Sequence, residues 1–159
     1  MIKKLKLYAN KCMIAGKLKI KVVFDTNIWI SFLIGKRLSV VERYISNRQI
    51  IVVTTDRLIE EIREVTGRES LRKYFPYSKV LELLRFLETV ADKHEITPQH
   101  FISRDPKDNF LLDLIAVSKA DYLVTGDKDL LMLHPFKTTS ILTPFDFEKI
   151  LADVHWDDV

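Results

Sequence analysis

VVFDTNIWISFLI (residues 22–34) passes from a continuous apolar run with β-branched valines into one aspartate, a Thr-Asn pair and a second apolar run. The first part, read with LKI before it (18–24), suits a strand buried on both faces, as in a parallel sheet. In the second part Thr26 and Asn27 are helix-capping types. Ile28, Trp29, Phe32 and Leu33 then recur at helical spacing, and Gly35 is placed to close the helix. Asp25 therefore belongs at a strand-to-helix junction, where a charge among apolar neighbours is costly unless something compensates it.

The same grammar continues along the chain. LSVVERYISNR (38–48) predicts an amphipathic helix and QIIVVTT (49–55) a short buried strand. DRLIEEIREVTG (56–67) predicts a helix capped by Thr55 or Asp56 and ended by Gly67. SKVLELLRFLETVA (78–91) is the longest helical pattern, with Val80, Leu81, Leu84, Phe86, Leu87 and Val90 as its apolar side, and HEIT (94–97) predicts a short strand. SRDPKDNFLLDLIAVSKA (103–120) reads as a loop and then a helix, Pro106 being a favoured first helical residue. DYLVTGDKDLL (121–131) is a strand breaking at Gly126, SILT (140–143) a last strand, and PFDFEKILADV (144–154) a closing helix that starts at Pro144. Strands alternating with helices imply parallel crossovers and an α/β sheet covered on both faces.

Composition limits the alternatives. A chain of 159 residues with 47% hydrophobic and 30% charged residues fits one globular domain able to bury a real core. The single Cys12 allows no intramolecular disulfide, which points to a reducing, cytoplasmic setting. No apolar run approaches the roughly 18 residues of a membrane span. The basic start, MIKKLKLYANKCMIAG, lacks the sustained apolar core of a signal peptide. A net charge of +3 permits a polyanionic partner without demanding one, and seven lysines fall within the first 21 residues. The expected division is a basic extension over 1–18, one domain over 19–152 and a tail over 153–159.

The carboxylates carry the chemistry. In an open parallel sheet ligands bind beyond the carboxyl ends of the strands, and Asp25 and Asp127 both fall there. Asp108 shares a helical face with Leu111, Leu112 and Ile115, so it is expected to point inward. In LIEEIREV, Glu61 lies beside a core face of Leu58, Ile62 and Val65, although a rotation by one residue would favour Glu60. Carboxylates that converge repel one another and stay ionised only with a compensating cation. An all-oxygen set without clustered His or Cys suits Mg²⁺ or Mn²⁺ rather than zinc, and such ions support phosphodiester hydrolysis without a protein nucleophile. His94, His100, His134 and His155 show no ligand spacing and read as surface residues. Trp29 reads as core, and Trp156 as part of the acidic tail.

VVFDTNIWIS (22–31), LIEEIREV (58–65), RDPKDNFLLDLIAVSKADYLVTGDKDLL (104–131) and SILTPFDF (140–147), in this order, resemble the PIN domain family of metal-dependent ribonucleases. Within it they are similar to the toxins of bacterial toxin–antitoxin pairs. The resemblance implies a three-layer α/β/α fold around a central parallel sheet of four or five strands, over about residues 19–152. It implies that Asp25, Glu61, Asp108 and Asp127 bind Mg²⁺ or Mn²⁺, with Asp129 an outer contributor and Asn27 and Thr125 supporting them. It implies RNA as substrate, an antitoxin protein as partner and a homodimer as assembly. Asn109 stands where many relatives carry a further acid, so the alternative is a catalytically inactive PIN-like module that binds RNA or a protein. A phosphatase on a similar sheet lacks support, since no Gly-rich phosphate loop is present.

Overall fold

The computed structural model describes residues 13–14, 17–35 and 38–154. Most of the basic extension, Cys12, and residues 155–159 with His155 and Trp156 lie outside the described residues. The short strands β1 (Met13–Ile14) and β2 (Lys17–Leu18) pair antiparallel. The domain then runs β3 (Ile20–Phe24), α1 (Thr26–Ile34), α2 (Leu38–Ser46), β4 (Ile50–Thr54), α3 (Asp56–Gly67), α4 (Tyr77–Thr89) and β5 (Asp92–Lys93). It continues with α5 (Asn109–Ser118), β6 (Tyr122–Val124), α6 (Lys128–Leu131), β7 (Ser140–Leu142) and α7 (Pro144–Asp153).

The five strands β5-β4-β3-β6-β7 form one parallel sheet in that order. The chain moves outward from β3 through β4 to β5, then crosses back to β6 and β7 on the other side of β3. Right-handed crossovers place the helices before and after that reversal on opposite faces, giving the three-layer α/β/α arrangement. β3 is the central strand, and only Lys21 within it escapes full burial, which is why its sequence is nearly continuous apolar. On one face Phe24 meets Trp29, Phe32 and Phe147 edge-on, with ring centroids 5.3, 5.7 and 5.7 Å apart, so α1 and α7 share an aromatic core. Burial of a phenylalanine such as Phe24 contributes about 1.5–3 kcal/mol, and the edge-on contacts add to it.

Several boundaries and faces differ from the sequence expectation. The edge strand falls at Asp92–Lys93, paired with Val53 and Thr54, rather than over 94–97. Its position follows the register of β4, not its own composition. In α4 the buried residues are Val80, Leu83, Leu84 and Leu87, while Val90 is exposed, so the core face is rotated toward Leu83. A 3₁₀ segment, Glu69–Tyr74, precedes it. In α1, Ile30 and Leu33 pack partly buried against the core and Ile34 is 63% exposed. No helix among the described residues is long and apolar enough to cross a membrane.

Candidate active site

The chain reverses direction across the sheet between β3 and β6, and the carboxyl ends of these strands are where a parallel sheet opens a crevice. Asp25 follows β3 and is buried. Its carboxylate Oδ2 accepts a 2.7 Å hydrogen bond from Thr125 Oγ1, just after β6. The Thr125 hydroxyl in turn accepts from the Asp127 backbone N–H at 3.0 Å. One buried threonine thus ties both strand ends together.

The other acids approach from three further segments. Glu61, on α3, accepts a 2.6 Å hydrogen bond from Thr26 Oγ1, while Glu60 is exposed. The sequence left the rotation of α3 open, and the structure turns Glu61 toward Asp25. Asp127 Oδ1 caps α6, accepting from Asp129 N at 2.7 Å and Leu130 N at 3.3 Å. Asp108 ends a 3₁₀ turn, Pro106–Asp108, and leads into α5. Asp129 is half-buried, and its Oδ1 lies 3.9 Å from Arg104 Nη1. The Asn27 side chain is exposed, and its backbone N–H rather than its amide side chain serves Asp25.

These groups influence one another electrostatically. Desolvation raises the Asp25 pKa and Glu61 pushes it the same way, whereas the Thr125 hydroxyl and the backbone N–H groups of Asn27 and Thr26 oppose the rise. Asp108 is pushed up to about 6, first by desolvation and then by the charges of Asp25, Asp127, Asp105 and Glu61. Among the described residues, no three or more His, Cys, Asp or Glu side chains form a group that could hold a metal ion as it stands. The fit of a cation rests instead on donor chemistry. Oxygen-only carboxylates that repel one another suit a hard divalent ion, and binding one would oppose the rise at both Asp25 and Asp108. Two grooves lie elsewhere. One of about 390 Å³ is lined by Ile45, Arg48, Val52 and Phe86, another of about 830 Å³ by Arg63, Thr66, Tyr77 and Leu84, and neither includes an acid of this cluster.

A second polar feature adjoins the acids and was not legible in the sequence. Asp113, buried on α5, accepts from the backbone N–H groups of Gln99 and His100 at 3.1 and 3.0 Å and pairs with His100 Nδ1 at 2.6 Å. His100 is therefore not a free surface residue, and its ring meets Phe136 edge-on at 5.1 Å. One turn earlier, buried Asn109 accepts from the Ser103 N–H at 2.9 Å. Asn109, which the family resemblance places where many relatives carry an acid, holds a loop here. The available signal was an aspartate inside the apolar helix NFLLDLIAV, which calls for a buried partner. His94 pairs with Asp92 at 3.1 Å, and His134 Nδ1 accepts from Ile141 N at 2.9 Å, so both are also structural.

Comparison with known proteins bears on the family and the fold. The profile of the family described as PIN domain matches residues 21–129. An uncharacterized protein of Methanocaldococcus jannaschii, MJ1680, is 34% identical over 125 residues, covering 74% of this chain and 77% of that protein. Among solved structures, PAE2754 from Pyrobaculum aerophilum superposes with a TM-score of 0.58 at 14% identity, over 84% of this chain and 96% of that one. The PIN domain endonuclease Utp24 superposes with a TM-score of 0.51 at 16% identity, over 77% and 84%. At these identities both structures speak to the fold alone.

Proposed function

This chain belongs to the PIN domain family, and from that premise we propose that it is a Mg²⁺- or Mn²⁺-dependent endoribonuclease, the toxin of a toxin–antitoxin pair. PIN domains are generally nucleases that use divalent metals. The observation that carries the reading is that the charges of Asp25, Asp127 and Glu61 act on Asp108, adding to its desolvation in pushing it up to about 6.

In this reading Asp25, Glu61, Asp108 and Asp127 hold the cation, with Asp129 at the edge of the set. When bound, such an ion supplies Lewis acidity at phosphate and water oxygens. The chain's own contribution is orientation. Thr125 holds Asp25 Oδ2, Thr26 holds Glu61 Oε2, and the α6 amides hold Asp127 Oδ1. Each of these three carboxylates thus has one oxygen fixed by the chain, so little reorganisation is needed when charge develops on a phosphate. Asp108, with a pKa near 6, exchanges its proton in mildly acidic solution. A cytoplasmic antitoxin encoded by a neighbouring gene, and pairing of two chains through the exposed end of α1 at Ile34, complete the proposal.

The test is cleavage of an RNA by the wild-type protein and by Asp25→Asn, with Mg²⁺ or Mn²⁺ present or chelated. Metal-dependent cleavage lost in the variant is the expected result, and equal cleavage by both overturns the reading. A second reading, an inactive module binding RNA or a protein, draws on Asn109, which is engaged with Ser103 rather than offered to a cation. Calorimetric titration with Mn²⁺ separates the two, since absence of binding at millimolar metal favours the module.

A further inference from the structure

The loop before RDPKD is held in an unusual way. Two buried side chains of α5 fix its backbone: Asp113 takes the N–H groups of Gln99 and His100, and Asn109 takes that of Ser103. The His100 side chain turns inward to Asp113 and Phe136, and Ser103 is buried. Between them, Phe101 is 74% exposed and Ile102 57% exposed. A chain that spends two buried polar residues on rigidifying a loop, and then leaves its aromatic side chain in water, has made a preorganised platform.

The platform borders the acids. Arg104 Nη1 is 3.9 Å from Asp129 Oδ1, and Phe101 precedes Arg104 by three residues, a reach of at most about 11 Å. Exposed cations adjoin the acids along the chain. The Arg104 side chain is 86% exposed, Lys107 and Lys128 are exposed beside Asp108 and Asp127, and Arg57 lies over the Phe110 ring at 5.9 Å. An exposed aromatic ring three residues from an exposed arginine suits a strand whose bases are unpaired, because every base offers a stacking face and every phosphate a charge. A duplex hides its bases and cannot use such a ring.

We propose that Phe101, on the loop clamped by Asp113 and Asn109, is a positioning residue that stacks on a base of single-stranded RNA while Arg104 meets the adjoining phosphate. This deepens the nuclease reading and rests on it for the identity of the polymer. The preorganised loop lowers the ordering cost of the contact.

The experiment compares wild type, Phe101→Ala and Phe101→Trp. Binding of a short fluorescein-labelled single-stranded oligoribonucleotide, and of the same sequence as a duplex, is measured with chelator present. Steady-state cleavage is measured with Mn²⁺. Phe101→Ala is expected to weaken single-strand binding about tenfold and to raise KM with kcat unchanged. Phe101→Trp is expected to restore both, and duplex binding is expected to stay the same throughout. Melting temperatures of the variants check that the fold is kept. Equal single-strand affinity in Phe101→Ala and wild type overturns the proposal and makes the loop a surface for a protein. An equal loss on the duplex, or no binding of single strands by wild type, also overturns it. The two readings fail separately. Cleavage insensitive to Phe101 removes only the platform, and Phe101-dependent binding without any cleavage removes only the nuclease.

Discussion

The Thr125 hydroxyl donates to Asp25 Oδ2 at 2.7 Å, joining residues a hundred positions apart, and it accepts from the Asp127 N–H at 3.0 Å. Both strand ends of the crevice therefore depend on one oxygen. Thr125→Val keeps the shape of the side chain but strands a buried carboxylate and a backbone donor. It is expected to lower stability by about 1–3 kcal/mol in urea denaturation. Because the lost hydrogen bond opposes the desolvation of Asp25, it also raises the Asp25 pKa further. Thr125→Ser, which keeps the hydroxyl, is expected to lose much less.

Asp108 makes stability depend on pH in a direction opposite to that of a salt-bridged acid. Its pKa rises from an ordinary 3.8 to about 6, so between these values the folded state holds more protons than the unfolded chain. Its contribution therefore falls as pH rises through that window and is constant above it. Asp108→Asn removes the penalty. With chelator present, the melting temperature of the variant relative to wild type is expected to climb from about pH 4 to about pH 6 and then level off. Added Mn²⁺ is expected to reduce the difference at pH 7, and a flat difference across the window would refute the assignment.

Glu60 and Glu61 differ only in which way α3 turns them. Glu61 accepts from Thr26 at 2.6 Å, and Glu60 is exposed. Glu61→Gln is expected to weaken Mn²⁺ binding in calorimetry, and Glu60→Gln to leave it unchanged. The reverse pattern would move the metal site away from the Thr26 side of the crevice.

Asp113 anchors the 99–103 loop through two backbone N–H groups and His100. Asp113→Ala removes the acceptor shared by those donors, an expected cost of about 1–3 kcal/mol. The loop, released from α5, is expected to be cut by protease within residues 99–104 while the rest of the domain stays protected. Unchanged proteolysis would show that Asn109 alone holds the loop.

Local features were legible because local rules produce them. The strand over Ile20–Phe24, the helix beginning at Thr26, α3 over Asp56–Gly67 and the Pro144 helix all follow from periodicity and capping within a few residues. The position of Asp25 and Asp127 at strand ends follows from the same reading. The edge strand falls outside the 94–97 expected from composition because Asp92–Lys93 has no strand composition and pairs where β4 offers Val53 and Thr54. The core face of α4 is not fixed by its own sequence, because Leu83 and Val90 are both apolar and only packing against the neighbouring α3 decides which is covered.

By itself, then, the sequence determined the order of elements, the parallel α/β architecture and the place of Asp25 and Asp127 after the carboxyl ends of β3 and β6. Tertiary structure alone decided that Thr125 holds Asp25, that Glu61 rather than Glu60 faces it, and that Asp113 and Asn109 spend their polarity on the loop carrying Phe101. The reason is one of range. Periodicity and caps act within a turn or two of chain, whereas a hydrogen bond between side chains far apart in sequence exists only once strand register and helix rotation have brought its two atoms within about 3 Å.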